Sequence, residues 1–157
     1  MMHVVLTVAS GFLLALVAGW IWRRWRIAQL EAKRRLAILV FEELEQELQQ
    51  EFLAVAAATG MPRGLRWKDF NLNEARLFAR DLATGELIAL VSATISFEAI
   101  AGGDMEGVEA VGNLRFATAV FVHRHGQWTT DGRVIFNLEP SQACEHYRDA
   151  LVPVSVS

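Results

Sequence analysis

The strongest constraint on this chain is a run of 19 residues, Val4–Trp22, that contains no charged side chain. At about 1.5 Å per helical residue the run is roughly 28 Å long, close to the ~30 Å hydrocarbon core of a bilayer. No basic residue precedes the run, and bulky Trp and Arg residues follow it where a signal peptide would have small ones. We therefore expect residues 1–22 to form an uncleaved transmembrane helix.

The residues after this run predict its orientation. All 15 Lys and Arg residues follow Trp22, and six of them lie between positions 23 and 35, opposed only by Glu31. Since cytoplasmic flanks are enriched in basic residues, we expect the N-terminus outside and the rest in the cytoplasm, at a cell membrane or an organelle inner membrane. Indole rings favour the headgroup region of a bilayer. The predicted membrane-interface anchors are Trp20, Trp22, Arg23, Arg24, Trp25 and Arg26.

Three small residues in the run, Gly11, Ala15 and Gly19, are spaced four apart and so share one stripe of a helix. Small residues at this spacing allow another helix backbone to approach closely, although they are also common in membrane helices generally. The stripe predicts a helix-packing interface with another membrane protein subunit. The absence of acidic or basic residues within the run argues against an ion or proton path along it.

Residues 23–60 are expected to form a basic-then-acidic juxtamembrane helix. No Pro or Gly occurs between Arg23 and Thr59, and Gly60 and Pro62 then end the helix. The stretch 23–35 carries a net charge of +5, and Glu42–Glu51 carries −5. Apolar residues recur at helical spacing, namely Ala37, Phe41, Leu44, Leu48, Phe52 and Val55. The stripe covers under three heptads, which favours packing on the protein's own sheet over a coiled coil.

Residues 61–157 read as a cytoplasmic α+β domain with a four-stranded antiparallel sheet and a C-terminal helix that begins at Pro140. The alternation of apolar and polar residues predicts that the strand Leu87–Ala99 buries one face in the core. The other face, with Ser92, Thr94, Ser96 and Glu98, is expected to be exposed to water. The predicted strands are Leu77–Arg80, Leu87–Ala99, Asn113–His123 and Trp128–Leu138, with Asp131 and Gly132 as the place where the last could be interrupted. This order of elements resembles that of cystatin-like and NTF2-like domains, without any sequence motif of either.

Candidate chemistry is sparse. Asp104, Glu106 and Glu109 lie in a glycine-rich loop, but their spacing does not fit an EF-hand, so a loop that contacts a partner is favoured over a metal site. His123 and His125 supply two imidazoles without a visible third ligand. The single cysteine excludes an internal disulfide, and a net charge of −3 excludes a generally basic nucleic-acid binder. We predict no metal, no cofactor and no catalytic residue.

Three functions remain open at this point. The leading hypothesis is a non-catalytic single-pass membrane protein, an accessory or structural subunit of a larger membrane complex. The first alternative is a membrane-tethered ligand-binding or enzymatic domain with a pocket between sheet and helix, lined by groups such as Glu98, His123 and Asp131. The second alternative is a homodimeric membrane scaffold.

Overall fold

A computed structural model describes residues 2–59 and 64–155, with no account of the side chains of residues 2–16, 59 and 110. The chain divides into two compact units, Met1–Leu36 and Ala37–Ser157. The described residues form three α-helices and a six-stranded antiparallel sheet, an α+β fold as expected. The helices are α1 (Met2–Glu43), α2 (Glu45–Thr59) and α3 (Pro140–His146). The strands are β1 (Leu65–Asp81), β2 (Leu87–Ala99), β3 (Arg115–Arg124), β4 (Gln127–Thr129), β5 (Val134–Phe136) and β6 (Leu151–Pro153).

The transmembrane helix expected at Val4–Trp22 has no support in the structure. Across the residues whose side chains are described, no helix is both long enough and apolar enough to cross a membrane. Residues 4–16 of the expected span, with Gly11 and Ala15, lie outside those side chains.

The long helix expected after the uncharged run is present, with a turn at Leu44 that separates α1 from α2. Gly60 and Pro62, which we expected to end it, lie outside the described residues. The apolar stripe packs on the protein's own sheet, as predicted, because Phe41 and Phe52 are fully buried there and Leu48 is 2% exposed.

The expectation of four strands is wrong, since the sheet has six in the order β4-β3-β2-β1-β6, with β5 also paired to β3. The first strand is 17 residues long and begins at Leu65, where only Leu77–Arg80 was expected. Its first half is rich in polar residues, and its pairing with β2 is irregular between Leu72 and Arg76. The strand expected at Trp128–Leu138 is divided into two short strands, β4 and β5. β6 pairs with β1 over three residues.

The strand Leu87–Ala99 has the predicted bounds, but its predicted wet face is wrong at Ser92 and Ser96, while Thr94 and Glu98 are partly exposed. Ser92 and Ser96 are 5% and 3% exposed. The Asn73 side-chain amide donates to the Ser92 hydroxyl at 3.3 Å, and the Ser96 hydroxyl donates to an Asp69 carboxylate oxygen at 2.8 Å. Polar side chains of β1 therefore cover polar side chains of β2, and each buried hydroxyl keeps a partner.

Aromatic rings fill the layer between the sheet and the helices of the second unit. The Phe41 ring lies edge-on to Phe78, Phe121 and Trp128, with ring centroids 5.7, 5.5 and 4.9 Å away. The buried Trp128 indole N–H donates to the carbonyl oxygen of Ala37 at 2.7 Å. This hydrogen bond satisfies the polar edge of the ring and ties β4 to the start of the domain.

A smaller layer on the other face of the sheet packs under α3. Ile88, Leu90 and Val122 meet Ala143 and Cys144 there. The helix begins at Pro140 as predicted but ends at His146. The buried stripe that the sequence predicts for this helix is therefore only partly correct; it consists of Ala143, Tyr147, Ala150 and Leu151. Of that stripe Ala143 is buried, whereas Leu151 belongs to β6.

The Gln49 side chain links α2 to β1 in the manner of a strand's peptide group. Its amide N–H donates to the carbonyl oxygen of Phe70 at 3.0 Å, and its amide oxygen accepts from the backbone N–H of Leu72 at 3.3 Å. A single side chain therefore satisfies two backbone groups beside the irregular part of β1.

Replacing Gln49 with Met should lower the free energy of unfolding by about 1–2 kcal/mol, because it leaves these two partly buried backbone groups without partners. Gln50→Met is the matched control, since Gln50 is exposed on the same helix. Urea unfolding of the full chain in mild detergent measures both variants. Equal losses in the two would mean that the Gln49 hydrogen bonds do not stabilise the fold.

Candidate functional site

Chemistry-bearing side chains gather in two separate places. One is the Trp–Arg segment, residues 20–26 of α1, in the first compact unit. The other is a cleft between the sheet and the C-terminal end of α3, in the second unit, called here the α3 cleft. Each is described by itself.

The Trp–Arg segment exposes all three of its indole rings. Trp20, Trp22 and Trp25 are 59–61% exposed, far more than is usual for side chains of this size. The guanidinium carbon of Arg24 lies 5.0 Å from the centroid of the Trp20 ring, and that of Arg26 lies 5.2 Å from the Trp22 ring. Each arginine follows its tryptophan by four positions, so the helix places the cation over the ring.

A shallow groove runs along one face of α1 beside this segment. It is lined by Gly19, Trp22, Arg23, Arg26, Ile27 and Leu30. A Cβ atom added to Gly19 would meet nothing within 4 Å, so the groove is open at that position. Gly19 is the one member of the predicted small-residue stripe with a described surrounding, and the helix-packing interface stays a prediction.

The α3 cleft is a cavity of about 190 Å³ with an apolar floor and a charged rim. The floor consists of Ile88, Leu90, Val120, Val122 and Ile135. On the rim, the Arg124 Nε–H donates to both carboxylate oxygens of Glu86, at 3.1 and 3.2 Å. The Arg124 Nη1 atom also lies 3.7 Å from a carboxylate oxygen of Asp131. The Arg124 guanidinium thus binds the carboxylates of Glu86 and Asp131, which come from two different strand connections, at the open side of the layer under α3.

Two groups near α3 have shifted pKa values. The backbone N–H of Thr84 holds the pKa of the Asp81 carboxyl below its usual value, with a further N–H from Ala83 and the nearby charge of Arg124 acting in the same direction. Burial raises the pKa of the Cys144 thiol, and the charge of Glu145 adds to the rise. The Asp81 carboxyl is therefore ionised near pH 7, so it can accept the N–H groups of its turn. The Cys144 thiol is neutral at this pH, which suits its packing in the core.

The residues proposed for a pocket do not meet. Asp131 lies on the rim of the α3 cleft, whereas the His123 ring lies 5.2 Å from Trp128 in the other layer of the domain. The Glu98 carboxylate pairs with the Arg66 guanidinium at 2.8 Å. Sequence spacing alone could not show that Asp131 and His123 lie on opposite faces of the sheet. The pairing of Leu87 with His123 in the β2–β3 register, however, places Glu86 beside Arg124.

The glycine-rich loop presents its three carboxylates to solvent. Asp104, Glu106 and Glu109 are exposed, and Glu106 accepts the backbone N–H of Gly102 at 2.7 Å, which stabilises a turn within the loop. Within residues 2–59 and 64–155, no three His, Cys, Asp or Glu side chains are grouped so that they could hold a metal ion. A role of this loop in contacting a partner stays a prediction.

Comparison of the chain with protein families, with curated proteins and with solved structures finds no match. The geometry of the Trp–Arg segment and of the α3 cleft is therefore the basis for the function proposed below.

Proposed function

We propose that this chain is a non-catalytic, single-pass membrane protein that serves as an accessory or structural subunit of a larger membrane protein complex. The observation that carries the proposal is the Trp–Arg segment, in which three exposed indoles and three arginines lie at the end of the uncharged run Val4–Trp22 and directly after it. The N-terminus lies outside and the α+β domain lies in the cytoplasm.

Exposed apolar surface in this part of α1 favours a lipid environment. Beside the tryptophans, Val17, Ile21 and Ile27 are 47–56% exposed. Apolar groups of this size gain about 25 cal/mol for each Å² removed from water, and the headgroup region covers indoles while leaving their N–H groups hydrated. Arginines at the same level bind the headgroups or the water above them. A membrane interface therefore satisfies both residue types at once.

The α+β domain contributes binding surface in this proposal. The aromatic layer around Phe41 is packed, and the ion pairs of Arg124 lie on the rim of the α3 cleft. The helix stripe with Gly11, Ala15 and Gly19 contacts another membrane helix of the assembly. The acidic loop with Glu106 offers a polar surface to a cytoplasmic part of the same assembly.

Replacing Leu13 and Leu14 together with Arg should release the chain from membranes, because an arginine at the centre of a span costs about 2.5–3.5 kcal/mol. The matched control replaces Leu36 and Leu39 with Arg, because both are exposed on the same helix, at 62% and 60%, and lie outside the uncharged run and the groove. The measurement is the fraction of tagged chain that stays in the membrane pellet after alkaline carbonate extraction. Wild type and control should stay in the pellet.

The same membranes, solubilised in mild detergent, test the accessory role. We expect a fixed set of larger membrane proteins to co-purify with the wild-type chain and to be absent from the Leu13/Leu14 variant. A wild-type chain that is extracted by carbonate would overturn the membrane anchor. A chain that remains in the membrane but purifies alone, as a monomer or a dimer, would overturn the accessory-subunit role.

A further inference from the structure

The basic stretch 23–35, which overlaps the Trp–Arg segment, forms no ion pair within the described part of the chain. Six of the 13 residues from 23 to 35 are basic and one is acidic, whereas the remainder of the sequence has 9 basic and 17 acidic residues. Every ion pair formed among the described residues uses Arg66, Arg76, Arg124 or Arg148. The positive charge at 23–35 is thus concentrated and unpaired there, so it is available to an external anion.

We propose that the groove along α1 binds the phosphate headgroup of an anionic phospholipid through Arg23 and Arg26. This inference rests on the proposed membrane anchor and names the lipid that the anchor prefers. The two arginines are three positions apart, so both line the same groove. A guanidinium presents paired N–H donors to phosphate oxygens, which makes arginine a better phosphate ligand than a point charge.

Trp22 holds one of these arginines in place. The Arg26 guanidinium lies over the Trp22 ring at 5.2 Å, so part of the ordering that a bound headgroup would require is already present. Trp22 also belongs at the headgroup level of a bilayer. The arginine that it supports is therefore positioned at the depth of the lipid phosphates.

The lining of the groove favours a lipid over a free phosphate ion. Beside the two arginines it consists of Gly19 and the apolar side chains of Trp22, Ile27 and Leu30. The open position at Gly19 is at the N-terminal end of the groove, within the uncharged run, where the glycerol and acyl chains of a bound lipid would pass. A free phosphate would meet only the arginines and would gain nothing from these walls.

The test compares lipid binding by the full chain purified in mild detergent. Native mass spectrometry measures how much phosphatidylglycerol and phosphatidylcholine the protein retains from an equal mixture of the two. Since each arginine near an anionic lipid surface favours binding by about fivefold, we expect the wild type to prefer phosphatidylglycerol by roughly ten- to thirtyfold. The variant Arg23→Gln with Arg26→Gln should reduce this preference to about twofold.

Arg34→Gln with Arg35→Gln is the matched control, because it removes the same charge from the same helix outside the groove. This control should keep most of the preference, and inorganic phosphate at millimolar concentration should not displace the lipid. Equal losses in both double variants would overturn the groove as a site and leave only a general charge effect. Displacement by inorganic phosphate would identify a free-anion site and contradict the lipid.

Failure of this inference is distinguishable from failure of the membrane anchor. A chain that resists carbonate extraction yet retains both lipids equally would remain a membrane protein without a headgroup preference. A chain that carbonate extracts and that retains neither lipid would remove both proposals.

Discussion

Replacing Phe41 with Ala should lower the free energy of unfolding of the α+β domain by about 3–5 kcal/mol, the range typical of large-to-small changes at buried phenylalanines. The Phe41 side chain is fully buried and lies against three other rings, those of Phe78, Phe121 and Trp128. Its removal leaves a cavity between α1 and three different strands, and no single neighbouring side chain can fill it. We therefore expect the loss to lie near the top of that range.

The measurement is urea unfolding of the full chain in mild detergent, followed by near-ultraviolet circular dichroism, which reports on the packed aromatic rings. Phe116→Ala is the control, since that ring is 63% exposed on β3 and its loss should cost under 1 kcal/mol. If the two variants unfolded at the same urea concentration, the ring cluster around Phe41 would not be the centre of this core.

The parts of the fold that were predictable are those with strong periodicity. Leu87–Ala99 has the expected bounds because alternating apolar residues mark a buried strand face, and the stripe through Phe41 and Phe52 packs on the sheet as expected. Local signals were also sufficient for the start of α3, where Pro140 occupies the first turn. In each case neighbouring residues alone carry the information.

The parts that were missed depend on partners that are distant in sequence. The first half of β1 is rich in polar residues, and it forms a strand because β2 pairs with it and Gln49 satisfies two of its backbone groups. Ser92 and Ser96 are buried because β1 supplies Asn73 and Asp69 to cover and hydrogen-bond them. The three residues of β6 form a strand through their pairing with β1, which is more than 65 positions away in the sequence.

The candidate site divides in the same way. The Trp–Arg segment is defined by its own seven residues, so its exposed side chains could be named from the sequence. The α3 cleft could not, since Glu86 and Arg124 lie 38 positions apart and only strand register brings them together. The alternative with a pocket grouped Asp131 with His123, whereas the alternation of strand faces places Asp131 beside Arg124.

Replacing Gly132 with Ala should also destabilise the domain strongly, by about 3 kcal/mol, because two separate costs add at this position. Gly132 has a φ of +71°, a left-handed conformation that disfavours a side chain. An added Cβ atom would also lie 2.9 Å from the backbone nitrogen of Ala56 and 3.0 Å from its Cα atom. The connection between β4 and β5 packs directly against the α2 backbone, so neither side can yield by rotating a side chain.

Gly126→Ala separates the two costs. Gly126 has a φ of +85°, and an added Cβ atom there would meet nothing within 4 Å, so this variant introduces the backbone strain without the contact. We expect it to cost about 1 kcal/mol, and the same urea titration measures both variants. The difference between the two losses is then the cost of moving α2 away from the sheet. Equal losses would mean that α2 moves freely at Ala56, and this would contradict the close packing of the helix on the β4–β5 connection.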